Sequence, residues 1–252
     1  MKYSKEKVQV VDLICVIQGE GLYAGLPHFL IRNSGCNMNC AFSDWICDTS
    51  YASWHPEDGS YSLQDIQDLI DKNPQITHAF ITGGNASFDP KLLQDEVNLL
   101  KNNNIFVAIE DNGTQYAPIK GIDFVTLSPK LSNSTPKLGT PVQDPAIGGV
   151  ITQVHVDRHE KARRNHESMK NWINNYDYQL KFVITTKEQL AEVEELVAIL
   201  GADKKKVCLM PEGVTAEQLA KRRVWLMELC IETGYRYTDR LHIVAYDNRR
   251  DV

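Results

Sequence analysis

Short apolar, β-branched runs recur along this chain, and most of them end in a cluster of polar residues and glycine. The runs at 8–16, 27–32, 76–81, 105–109, 124–127, 179–184, 207–210 and 240–244 each have the length and composition of a strand. Helix-length segments separate several of them. Ser62 can cap one through about residue 71, with Asp65 three positions on as a short-armed capping box. Residues 90–101 carry Leu92, Leu93, Val97 and Leu100 on one face, and 187–200 carry Leu190, Val193, Val197 and Leu200. Thr215 is placed to cap a further helix to about residue 230. This βα rhythm predicts an α/β chain with a largely parallel sheet. Thr82-Gly83-Gly84-Asn85, Glu110-Asp111-Asn112-Gly113-Thr114 and Ser128-Pro129-Lys130 fall where strands stop, and ligand sites form at that edge of a parallel sheet or barrel. Residues 131–163, rich in proline and glycine, read as an irregular insertion in a single domain spanning 1–252.

A chain of 252 residues buries a core without disulfides. Its 27 basic against 33 acidic residues give a net charge of −6, which argues against a non-specific nucleic-acid binder but leaves room for a local pocket for a small anion. No apolar stretch approaches a membrane span, and residues 1–7 lack the apolar run of a signal peptide, so the expected setting is a reducing cytoplasm.

Three of the six cysteines, Cys36, Cys40 and Cys47, fall within twelve residues. Cys15, Cys208 and Cys230 lie in apolar settings and read as small core residues. Three close thiols suit a metal site better than a disulfide framework. Structural zinc wants four tetrahedral ligands, and His55 offers a fourth. Three thiolates around an iron–sulfur cubane leave one iron open to a second molecule. Spacing alone does not separate the two, but the polar, glycine-containing loops favour a cluster beside a large polar cofactor. Elsewhere, Gln18 and Glu20 flank glycines in the turn after the first strand, where the backbone can approach a ligand or simply reverse direction. Arg32 ends its strand either as a surface residue or as a fork for a carboxylate. The His155–His166 tract reads as a charged, solvated face, since basic residues are interspersed and no acidic pair completes a ligand set.

These segments together resemble the 7-carboxy-7-deazaguanine synthase family of radical S-adenosylmethionine enzymes. The resemblance rests on Gln18-Gly19-Glu20-Gly21, Leu30-Ile31-Arg32, Gly35-Cys36 through Cys47-Asp48-Thr49, Thr82-Gly83-Gly84, Ile109-Glu110 with Asn112-Gly113, Ser128-Pro129-Lys130, Leu180-Lys181-Phe182-Val183, Leu209-Met210-Pro211-Glu212-Gly213 and Arg240-Leu241-His242, in family order almost end to end. It implies a partial (β/α) barrel and a carbon–nitrogen lyase that contracts 6-carboxy-5,6,7,8-tetrahydropterin to 7-carboxy-7-deazaguanine with loss of ammonia. In the family, adenosylmethionine chelates the open iron of a 4Fe–4S cluster, and its 5′-deoxyadenosyl radical takes hydrogen from C6 of the pterin.

By the same resemblance, Cys36, Cys40 and Cys47 hold the cluster. Gly83, Gly84, Asn85, Asn112, Ser128 and Lys130 line the adenosylmethionine site, and Gln18, Glu20, Arg32 and His242 face the pterin. Thr49 helps hold a magnesium ion. A homodimer and a reducing electron-donor protein are implied, with no direct contact to nucleic acid or membrane.

Two positions depart from the family pattern. The usual C-x3-C-x2-C becomes C-x3-C-x6-C, which reads as a four-residue insertion, Ser43-Asp44-Trp45-Ile46, because Cys47 keeps its Asp-Thr neighbours and serine is a poor soft ligand. Gly-Gly-Glu-Pro becomes Gly83-Gly84-Asn85-Ala86. Asn85 loses the charge that the family's glutamate offers the cofactor's ammonium, which predicts weaker cofactor binding. These departures leave two alternatives, a divergent radical enzyme on another small anionic substrate and a non-catalytic zinc- or ligand-binding relative.

Overall fold

The computed structural model describes residues 3–42, 45–144 and 147–250. Its strands are β1 (Lys7–Val8), β2 (Val10–Ile17), β3 (Pro27–Asn33), β4 (Tyr61–Ser62), β5 (His78–Gly83), β6 (Phe106–Asp111), β7 (Phe124–Leu127), β8 (Tyr178–Ile184), β9 (Val207–Pro211) and β10 (Arg236–Tyr237). Its helices are α1 (Ser50–Ser53), α2 (Leu63–Lys72), α3 (Pro90–Asn102), α4 (Gln153–Arg163), α5 (His166–Asn175), α6 (Leu190–Leu200), α7 (Ala216–Thr233) and α8 (Leu241–Tyr246). Eight strands form one sheet in the order β10-β9-β8-β7-β6-β5-β3-β2, with β2 and β10 at its two free edges. Among the described residues of that sheet, only the β2–β3 pair is antiparallel, and β1 and β4 form a separate antiparallel pair. This is the expected α/β architecture, and its open sheet makes the barrel partial.

Alternation along each strand decides what lies on either side of the sheet. Ile31, Ile81, Val107, Ile109, Val125, Leu180, Phe182 and Leu209 are buried in the main core with Leu93, Val97 and Leu100 of α3, Val193 and Leu196 of α6, and Leu226 and Leu229 of α7. The intervening positions Arg32, Thr82, Glu110, Lys181, Val183 and Met210 border a cavity instead. Phe80, Ala108 and Phe124 cluster on that same side with Tyr23 and Phe106. The inner face is therefore apolar toward the strand starts and polar toward their carboxyl ends.

Local chemistry agrees with several boundaries. Asp65 N–H donates to Ser62 Oγ at 3.2 Å, and Ser62 N–H returns to Asp65 Oδ2 at 2.7 Å, closing the expected capping box. Gln218 N–H donates to Thr215 Oγ1 at 3.2 Å at the start of α7.

Four expectations are corrected. The run 240–244 is helix α8 rather than a last strand: Leu241 N–H bonds Gly19 C=O at 3.0 Å and Val244 N–H bonds Arg240 C=O at 3.0 Å. The last strand is the short β10 just before it. Residues 131–163 are not wholly irregular, since α4 occupies the last third; it buries only His159 and so shows no apolar stripe in sequence. His159 is not solvated but sits between Ser134 and Thr135 hydroxyls at 3.3 Å, and burial lowers its pKa to about 4, so it is a neutral core residue. Cys15 is exposed on the edge strand β2, whereas Cys208 and Cys230 are buried as expected.

Candidate active site

The carboxyl ends of the strands open into a cavity of about 500 Å³. Every residue singled out from sequence as a site residue lies on its wall: Cys36, Cys40, Cys47, Thr49, Gln18, Glu20, Arg32, His242, Gly83, Gly84, Asn85, Asn112, Ser128 and Lys130. His55, the alternative fourth zinc ligand, is exposed and does not border it.

The cluster loop follows β3 directly. Gly35 N–H bonds Ala52 C=O at 2.8 Å, and Asn85 N–H bonds Gly35 C=O at 2.9 Å, so the loop is stitched to both α1 and the end of β5. The long C-x6-C spacing is closed by a small hairpin. Ala41 bridges Ile46, Phe42 N–H bonds Trp45 C=O at 2.8 Å, and Cys47 N–H bonds Cys40 C=O at 3.1 Å. Six intervening residues therefore still leave Cys47 beside Cys40. Ser43 and Asp44, half of the inferred insertion, lie outside the described residues. Ile46 anchors the hairpin in a satellite core with Ala41, Val142 and Ile151, so the loop rests on the 131–163 region. From α4, Arg158 donates to the carbonyls of Asn37 at 3.0 Å and Cys36 at 3.2 Å.

The chemistry of this donor set fits a cluster. Burial pushes the Cys36 thiol up to about 12 and raises Cys40 further still, while Lys130 pulls in the opposite direction at both. Among the described residues, no three His, Cys, Asp or Glu side chains converge as they would on a single ion. Cys36, Cys40 and Cys47 border one cavity, and three soft sulfur donors there can hold an iron–sulfur cluster with one iron left open.

Beside the cysteines, Gly83 and Gly84 turn tightly under the loop. A Cβ at Gly84 would collide with the carbonyls of Ala52 and Gly35. Asn85 is buried and committed within the protein: its Oδ1 accepts from Asn112 N–H at 2.7 Å, and its Nδ2 donates to Ser87 Oγ at 3.0 Å. Asn112 in turn donates to Asn37 Oδ1 at 2.9 Å. Lys130 Nζ donates to Ser128 Oγ at 2.8 Å.

The opposite wall is a charged network that site selection from sequence only half recovered. Lys181, 2% exposed at its side chain, pairs with Glu20 and with Glu110 at 2.6 Å. Arg240 Nε pairs with Glu20 at 2.8 Å, its Nη2 with Asp48 at 2.5 Å, and its Nη1 donates to Gly213 C=O at 2.6 Å. Burial opposes ionisation of Glu20, but Lys181, Arg240 and His242 outweigh it and hold the carboxyl far below its ordinary range. Burial likewise lowers the His242 pKa, against the pull of Glu20. Arg32 Nε pairs with Asp12 at 2.6 Å, and its terminal nitrogens make no hydrogen bond among the described residues. Tyr51 and Arg250 complete Asp12's contacts at 2.8 Å each. Gln18 turns back on its own loop, accepting from Glu20 N–H at 3.3 Å. Lys181, Arg240, Glu110, Asp48 and Asp12 were missed as site residues. A lysine inside the apolar strand 179–184 was the available signal for Lys181.

No family profile matches the chain. Curated relatives do. The 7-carboxy-7-deazaguanine synthase of Halobacterium salinarum is 35% identical over 248 residues, covering 94% of this chain and 90% of the relative. That of Rhodopirellula baltica is 36% identical over 251 residues, covering 98% and 90%. The chain belongs to the 7-carboxy-7-deazaguanine synthase family. The crystal structure of QueE from Escherichia coli superposes with a TM-score of 0.60 at 21% identity, covering 92% of this chain and 93% of that one, which supports the partial-barrel fold. As a 7-carboxy-7-deazaguanine synthase family member, the chain carries its three clustered cysteines in C-x3-C-x6-C spacing and has Asn85 after the paired glycines.

Proposed function

We propose that this chain carries out its family's reaction, contracting 6-carboxy-5,6,7,8-tetrahydropterin to 7-carboxy-7-deazaguanine and releasing ammonia. The observation that carries the reading is that the three cysteines, the Gly83–Gly84 turn and the Glu20–Lys181–Arg240 network all face one cavity. Cys36, Cys40 and Cys47 would hold a 4Fe–4S cluster, which would supply one-electron reducing chemistry toward S-adenosylmethionine. Gly83, Gly84, Asn85, Asn112, Ser128 and Lys130 form the cofactor wall. Asn85 acts there chiefly through the Asn112 backbone it holds.

Across the cavity, Asp12 fixes Arg32 through Nε and leaves its terminal nitrogens for the substrate carboxylate. Lys181 and Arg240 keep Glu20 ionised and oriented as an acceptor for the pterin's N–H edge, with Gln18 and His242 beside it. Thr49, whose hydroxyl lies 3.4 Å from Cys47 Sγ, would offer an oxygen to a magnesium ion, a hard cation that prefers oxygen donors. The chain acts as a single domain, and its homodimer uses the apolar stripe Val224, Met227 and Ile231 exposed on α7. An external protein donates the electron. No helix among the described residues is long and apolar enough to cross a membrane; the cytoplasmic setting is proposed because three clustered thiols need a reducing compartment.

The test is anaerobic reconstitution with iron and sulfide, followed by incubation with substrate, adenosylmethionine, dithionite and magnesium. Formation of 7-carboxy-7-deazaguanine is expected. A reconstituted protein that cleaves adenosylmethionine without forming this product contradicts the substrate assignment, and stoichiometric zinc with no iron contradicts the enzyme.

A further inference from the structure

Asn85 removes a negative charge from the cofactor wall, yet that wall is not without a carboxylate. Asp111, the last residue of β6, is 1% exposed and borders the cavity next to Asn85 and Asn112. Its Oδ2 accepts from Ser87 N–H at 2.9 Å and its Oδ1 from Gly113 N–H at 2.8 Å. The Asn85 side chain also hydrogen-bonds toward it. No Lys, Arg or His pairs with it among the described residues, in contrast with the Glu20, Glu110 and Asp48 carboxylates.

Burying a carboxylate without a cation is costly unless something compensates. Burial raises the Asp111 pKa despite these hydrogen bonds, as expected for a group that lacks a positive partner. A glutamate at position 85 would set two carboxylates against each other at this spot. A neutral Asn85, donating to Ser87 and toward Asp111, removes that conflict.

We infer that the carboxylate of the cofactor wall has moved from position 85 to Asp111, which meets the amino group of bound S-adenosylmethionine. This rests on the adenosylmethionine reading above and assigns Asp111 a binding role. It also changes the expectation for Asn85: the loss of charge there is offset rather than left as weakened binding.

The test is equilibrium dialysis of adenosylmethionine and of 5′-methylthioadenosine, which lacks the amino-acid moiety, against the anaerobically reconstituted protein. Asp111→Asn is expected to weaken adenosylmethionine about ten- to a hundredfold with iron content unchanged, in line with losing a charge-assisted contact, and to leave methylthioadenosine binding within about threefold. Equal weakening of both ligands would reduce Asp111 to a brace for the Ser87 and Gly113 backbone and overturn the inference, as would unchanged adenosylmethionine affinity. The exchange N85E/D111N returns the charge to position 85 and is expected to recover most of the affinity. If D111N alone loses its cluster, the exchange variant decides, and full iron content without recovered affinity overturns the inference. Failure of the unaltered reconstituted protein to bind adenosylmethionine would instead sink the reading beneath it.

Discussion

At the residue scale, two buried ionisable side chains define what the site tolerates. Lys181 separates Glu20 from Glu110 in a setting where each carboxylate depends on it. Lys181→Met leaves Glu110 without a cation and Glu20 with Arg240 alone, and is expected to cost about 3–5 kcal/mol of stability, measured by anaerobic urea unfolding; a loss near zero contradicts the network. Glu96, wholly buried on α3, accepts from Asn33 Nδ2 at 2.9 Å, and Asn33 C=O accepts Gly84 N–H at 3.0 Å, so this carboxyl props the turn beneath the cofactor wall. Burial pushes it up to about 8, with Asp89 and Asp95 adding to burial and the Asn33 hydrogen bond opposing it. The folded protein then keeps a proton that the unfolded chain has released. Its contribution is intact below the ordinary 4.5 and is lost as pH rises toward 8. Glu96→Gln removes that titration, so its stability advantage over the unaltered protein should grow between pH 4.5 and 8, by at most about 1.4 kcal/mol per pH unit. Parallel stability–pH profiles for the two proteins contradict a protonated Glu96.

At the element scale, helices with an apolar stripe were legible and helices held by polar contacts were not. Residues 90–101 and 187–200 show their buried positions directly as spaced leucines and valines, and α3 and α6 form there. The structure starts the latter as a 3-10 turn at Lys187–Gln189. By contrast, α4 is tied down by Arg163 with Glu192 at 2.9 Å and by the Thr135 hydroxyl donating to Glu160 at 2.5 Å, contacts that leave no hydrophobic period. The segment 240–244 has the composition of a strand, but its Arg240 is drawn into the cavity by Glu20 and Asp48 and Leu241 N–H is taken by Gly19 C=O. A Cβ at Gly19 would collide with His242, so the turn after β2 and α8 are fitted to each other. The unrecognised α4 has a consequence for the cluster. Arg158→Ala removes three hydrogen bonds to the cysteine loop, at the Asn37 and Cys36 carbonyls and Asn39 Oδ1, from an exposed side chain. Global stability should change by less than about 1 kcal/mol, while the reconstituted cluster should bleach faster under chelator. Unchanged bleaching would show that α4 does not brace the loop.

At the scale of the whole molecule, the sequence places its chemistry at strand ends, and the parallel sheet gathers those ends around one cavity. Polar clusters after 81, 109 and 127 were therefore legible as neighbours before any distance was known, because parallel strands align their carboxyl ends. The pairings across the cavity were not legible. Glu20 meets Arg240 across 220 positions of sequence, and no local pattern records such a contact. Asn85 could be recognised as a departure, but the carboxylate that faces it from β6 appears only once two adjacent strands are in register. The exposed stripe on α7 carries the quaternary prediction: Ile231→Glu should shift the protein from dimer to monomer in analytical ultracentrifugation, and a dimer that persists places the interface elsewhere. The central claim is that Cys47, not a residue at the shorter spacing, completes the thiolate set with Cys36 and Cys40. Iron and sulfide content together with 5′-deoxyadenosine formation, compared between Cys47→Ala and Ser43→Ala after identical anaerobic reconstitution, test it most directly. Cys47→Ala should lose the cubane and the cleavage while Ser43→Ala keeps both; an intact, active cluster without Cys47 would contradict the account.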